Sequence, residues 1–75
     1  MNAKFLHNPV ILFKQPQQGM IERDVTPQCQ GRVRALGSHW FAMLDASAAS
    51  QCLEAGDTVM VTGRQGIVLL VRATG

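Results

Sequence analysis

Aromatic residues are scarce in this chain of 75 residues, with one Trp and three Phe. A core so lean in rings must be built mainly from Val, Leu, Ile, Met and Ala. Cysteine is limited to Cys29 and Cys52, neither in a CxxC pair, and no His spacing completes a tetrahedral site. A disulfide framework and a structural zinc are thereby excluded. Two free thiols in a reducing compartment are the expectation, with pairing across one end of the fold as the alternative. Long apolar runs are missing as well. The longest, Val10–Phe13, Trp40–Leu44 and Ile67–Val71, are four or five residues. They match neither a transmembrane helix nor the apolar stretch of a signal peptide, so a cytoplasmic location is expected. The length allows one domain, with a stability of a few kcal/mol unless a partner or self-association adds to it.

Excess charge of one sign is also absent from the body of the chain. The net charge is +2, but Lys4 and Lys14 both precede Gly19. Beyond that point Arg23, Arg32, Arg34, Arg64 and Arg72 are matched by Glu22, Asp24, Asp45, Glu54 and Asp57. A neutral body argues against a nucleic-acid module, whose footprint is a basic stripe.

What is present is alternation broken by glycine. Gly31 to Val71 carries short runs of β-branched and bulky apolar residues cut by Gly31, Gly37, Gly56, Gly63 and Gly66. The reading gives a first strand over Gly19–Thr26, a second over Gln30–Leu36, and a third over His39–Asp45 after a tight turn at Gly37-Ser38. Ala46 to Ala55 is the longest interruption, where small residues permit a helical turn and Leu53 could tuck against the core. A fourth strand over Thr58–Thr62 and a fifth over Ile67–Arg72 then flank a Gly63–Gly66 loop. Five short strands with one longer connection between the third and fourth predict an all-β, five-stranded OB-fold-like barrel. It is assigned residues 19–75, behind an N-terminal arm over residues 1–18.

The arm carries Pro9, Pro16 and a Gln-rich exit, which suit neither a long helix nor a central strand. Within it Val10, Ile11, Leu12 and Phe13 form an apolar run that should dock on something. An arm laid on the protein's own sheet, a partner-binding segment and a disordered tail are the three readings. Alternation assigns Val33, Ala35, Trp40, Ala42, Leu44, Val59, Val61, Ile67, Leu69 and Val71 to the interior. Phe41, Met43, Met60, Val68 and Leu70 are then left outside, on three neighbouring strands. Such a patch marks either an interface or the place where the arm lies, and its methionines favour an adaptable surface.

Catalytic and metal chemistry find no support. Ser38 and His39 are adjacent on a strand and point to opposite faces, which defeats a nucleophile–base pair with Asp45 or Asp57. His7 and His39 lack a third ligand at useful spacing. No catalytic residue, cofactor or metal is therefore expected. Arg32 and Arg34 share an outer face and with Trp40 could hold a single strand, although stacking platforms beside a basic groove are what that mode requires.

Gly31 and Val33, then Gly37, Trp40 and Ala42, then Leu53, Gly56, Val59 and Val61, and finally Gly66, Leu69 and Val71 form a spaced set. In that order and spacing the stretch from about Gly19 to Ala73 resembles the C-terminal soluble domain of NfeD-like proteins. The resemblance implies a five-stranded OB-fold barrel and a non-enzymatic role. It also implies a stomatin/SPFH-type membrane-scaffold partner, which would recruit the chain to the membrane. The membrane helices and the ClpP-like protease domain of longer members have no counterpart in this sequence. The stretch LEAGDTVMV is similar to the approach to the lysine hairpin of biotinyl and lipoyl carriers. Those need a lysine at the hairpin tip, and here the tip reads Gly63-Arg64-Gln65-Gly66. The expectation is therefore an adaptor that binds a protein through Phe41, Met43, Met60, Val68 and Leu70, with Val10 to Phe13 as cover or co-binder. The alternatives are single-strand binding through Arg32, Arg34 and Trp40, and self-association through the same patch.

Overall fold

The computed structural model describes residues 9–74. Five strands, β1 (Val10–Arg23), β2 (Gly31–Ala35), β3 (Ser38–Leu44), β4 (Thr58–Gln65) and β5 (Val68–Ala73), close into a barrel in the order β1-β2-β3-β5-β4. All neighbours are antiparallel except β3 and β5, which run parallel with Phe41 opposite Val68 and Met43 opposite Leu70. Between β3 and β4 lies a 3₁₀ turn over Ala46–Ala48. The all-β, five-stranded OB-fold-like barrel read from alternation is the fold observed.

Several strand boundaries differ, β1 ending at Arg23 rather than Thr26 and β4 running to Gln65 rather than Thr62, and three differences have a clear physical reason. β1 begins at Val10 rather than Gly19 and runs through the expected junction at Gln18 without a break. Val10, Ile11 and Leu12 pair with Gln65, Arg64 and Gly63, so this part of the arm is laid on the chain's own sheet. Pro16 is tolerated because the β1–β4 ladder shifts register between Leu12 and Gln17. A missing N–H breaks no rung there. Residues 1–8 of the arm, with His7, lie outside the described residues. The β2–β3 turn is Leu36-Gly37 rather than Gly37-Ser38, with φ of 54° and 76° at its two central residues. Positive φ at both matches the right-handed twist of the strands it joins, even though Leu36 is a poor residue for it. The β4–β5 turn is Gly66-Ile67, and Gly63 lies inside β4. Gly63 reads as a loop glycine in sequence, but it is a point of close approach between paired β1 and β4: a Cβ there would overlap the Ile11 carbonyl oxygen.

The core is Ile21, Val25, Val33, Ala35, Ala42, Leu53, Val59, Val61, Leu69 and Val71, with Phe13, Trp40 and Leu44 packed against it. Ile67, expected inside, is 69% exposed because the hairpin turns at it. Trp40 and Leu44, also expected inside, are half-buried. Leu53 tucks in as expected, held by reciprocal backbone hydrogen bonds of 2.8 Å with Val25. Trp40 packs against this core, and its indole Nε1–H donates to the Ala35 carbonyl at 3.0 Å.

Candidate functional site

The parallel pairing of β3 with β5 sets which residues look outward. Ala42, Leu69 and Val71 are buried, so Phe41, Met43, Val68 and Leu70 occupy the opposite face as two facing pairs. Phe41 is 49% exposed, and Met43 and Val68 are half-buried. Leu70 corrects the expected open patch: it is buried at 5% exposure. Met60 is half-buried on β4, opposite Gln18 on one side and Arg72 on the other.

The first half of β1 supplies the second wall. Val10, Leu12 and Phe13 line one groove of about 610 Å³ together with Met43, Leu44 and Leu70. The arm and the sheet face, two features far apart in sequence, thus build a single apolar concavity. Val10 and Leu12 remain 52% and 69% exposed, so the arm walls the groove without filling it. Of the remaining predicted residues, Ile11 alternates to the other side of β1, and Phe41, Val68 and Met60 lie outside the lining.

One end of the groove is polar and was not anticipated from the sequence. Asp45 caps the Ala46–Ala48 turn, and its Oδ1 accepts from the Ser47 backbone N–H at 2.9 Å and the Ser47 hydroxyl at 2.7 Å. Its Oδ2 accepts from the Thr62 hydroxyl at 2.9 Å, which ties the end of β3 to β4. Burial pushes this carboxyl's pKa up, but the hydrogen bonds from Ser47 and Thr62 outweigh it and hold the group below the usual aspartate value. The signal was present in Asp45-Ala46-Ser47, a capping residue with a hydroxyl two positions on.

A second face, on β1, β2 and β3, is charged. Arg32 lies opposite Phe41, its guanidinium carbon 5.7 Å from the ring centroid. Arg34 lies between Met20 and His39. His39 Nδ1 contacts both carboxylate oxygens of Glu22 at 2.8 and 2.9 Å. Trp40 is not part of this face: it pairs with buried Val33 and packs against the core. The set Arg32, Arg34 and Trp40 is therefore split, and Phe41 is the aromatic beside Arg32. Among the described residues no group of three His, Cys, Asp or Glu is placed to hold a metal ion. Cys29 and Cys52 are free and exposed. No helix among these residues is long and apolar enough to cross a membrane.

Compared with protein-family models, with curated proteins and with solved structures, the chain finds no match.

Proposed function

We propose that the chain is a non-enzymatic adaptor that binds a protein partner through the outer apolar groove and the adjoining Phe41 and Val68. The observation that carries this is the convergence of Val10, Leu12 and Phe13 with Met43 and Leu70 on one concavity, flanked by a half-exposed phenylalanine. Concave apolar surface with a few placed polar groups is what recognition sites offer, and half-exposed aromatic and methionine side chains are enriched in them. The resemblance to the NfeD soluble domain makes a stomatin/SPFH-type scaffold the first partner to try. The chain would then work in the cytoplasm and reach the membrane through that partner. The test is capture from the host's solubilised membrane fraction with wild-type and Phe41→Asp baits. Recovery of an SPFH-type protein by the wild type alone, from two baits with equally cooperative melts, supports the reading. Equal recovery by both baits refutes this placement of the interface.

A second reading is single-strand binding on the β2–β3 face, favoured by the stacked Arg32 and Phe41 and by neighbouring Arg34. The Glu22 carboxylate on the same face opposes it. Binding to oligo(dT) that weakens steeply with salt would support it, and no binding at low salt would dispose of it.

A further inference from the structure

The groove lining carries two charged residues, Asp45 and Arg72, and of these only the Asp45 carboxylate is buried, with no cation among the described residues paired to it. Asp45 is only 9% exposed yet contributes to the groove lining beside Met43 and Leu70. Its three hydrogen bonds come from neutral donors, one amide and two hydroxyls. A carboxylate offers about four acceptor sites. Oδ1 takes two donors and Oδ2 one, and the Ala48 amide, also neutral, lies near enough to help hold the carboxyl's pKa down. Arg72 lines the same groove but is exposed and makes no ion pair with Asp45. With its pKa lowered, Asp45 is charged at neutral pH.

We propose that this groove selects a partner segment in which apolar side chains flank one basic residue, the basic group meeting Asp45. The proposal rests on the adaptor reading above and adds the chemistry of what is bound. Apolar side chains of the segment would displace water from the walls formed by Leu12, Phe13, Met43 and Leu70. In a site so dried, a charge-assisted N–H···O bond to Asp45 gains strength. A neutral apolar group at the same place would leave the carboxylate buried without a cation, and an acidic one would be repelled. The site therefore discriminates by penalty as well as by attraction. A second copy of this chain is the poorer occupant. Its own apolar run, Val10 to Phe13, is already committed to the groove wall and to pairing with β4.

The experiment is an NMR titration of the isotopically labelled chain with two blocked ten-residue peptides. One alternates Val and Thr around a central Lys; the other carries norleucine in place of the Lys. The expected result is shift changes at Met43, Leu70 and Asp45, with the Lys peptide bound about tenfold more tightly. That preference should vanish in Asp45→Asn, and both peptides should be lost in Leu12→Asp, a change at an exposed rim position. Equal binding of the two peptides overturns the charge selection while leaving the adaptor reading standing. Shifts confined to the face of Arg32 and Arg34, or no shifts at all, overturn the proposal at this groove. Should Asp45→Asn fail to fold, the comparison of the two peptides on the wild-type chain still decides. A mass that rises with protein concentration and shifts the same groove residues without peptide would assign the groove to a second copy and refute the proposal.

Discussion

Replacing Asp45 by Ala removes three hydrogen-bond acceptor contacts at once and cuts the link between the end of β3 and the middle of β4. The carboxylate accepts at 2.7 Å and 2.9 Å from Ser47 and at 2.9 Å from Thr62. Losing a cap of this kind costs about 0.5–2 kcal/mol. A hydrogen bond to a charged group contributes about 1.5–3 kcal/mol. The Ser47 contacts are near the surface and will be replaced by water, whereas Thr62 is half-buried and has only the Leu70 carbonyl at 3.5 Å as a second partner. Counting the cap once and the Thr62 bond once gives a loss of about 2–5 kcal/mol. In a domain this small that is a large part of the total. Urea unfolding followed by Trp40 fluorescence should show the midpoint falling by about 2 M or more, given a slope near 1 kcal/mol/M. Thr62→Val should reproduce about 1.5–3 kcal/mol of it, and the double variant should lose less than the sum of the two single losses. A loss below about 0.5 kcal/mol for Asp45→Ala would refute the argument. It would mean that water substitutes for every donor and that β3 and β4 do not depend on this contact.

Three further outcomes follow from the same geometry. Asp45 is held below the ordinary aspartate pKa, so its contribution is present above the unfolded-state value of about 3.9 and is lost as pH falls through the lower folded value. Acid titration of stability should therefore show a low-pH loss that Asp45→Asn lacks; identical acid profiles would contradict this. Gly63→Ala places a methyl against the Ile11 carbonyl and should destabilise by more than about 2 kcal/mol, with amide exchange increasing first at Val10–Leu12. Protection unchanged in that segment would show that β1 does not approach β4 closely there. Leu36 occupies the left-handed region at φ 54° while 51% exposed, so Leu36→Asn should raise thermal stability by about 0.5–1 kcal/mol. A lower melting temperature would mean that the leucine's packing outweighs its strain.

Much of the barrel is legible in the chain because β2 and most of β4 alternate strictly, whereas β5 buries Leu69, Leu70 and Val71 in a row. Arg32 and Arg34 flank buried Val33, and Val59 and Val61 flank Met60, as a strand with one wet face requires. The misreadings cluster where one residue type serves two purposes. Gly63 and Gly66 look alike in sequence, yet one permits a close approach of two strands and the other turns the hairpin, and this moved Ile67 from the expected core to the tip. Pro16 argued against a strand, and only the register shift in the β1–β4 ladder makes room for it. Alternation singles out Met43 and Leu70, and the unbroken apolar run singles out Val10, Leu12 and Phe13, but alternation sends Leu44 to the interior although it lines the groove, and their union is not legible. Joining Leu12 to Leu70 depends on how β1 passes β4. Asp45 reads as one acid among several, and only Ser47, two positions on, marks it as a cap.

The central claim is that the groove between β1 and the outer face of β3 and β5 is where a protein partner lies. A photo-crosslinking residue placed at Leu12, compared with one at Arg34 on the charged face, tests it directly in host membranes. The account predicts a crosslinked protein of defined mass from position 12, absent from position 34 and abolished when Phe41→Asp is added. Crosslinks from position 34 alone would contradict it and move the function to the face of Arg32 and Phe41.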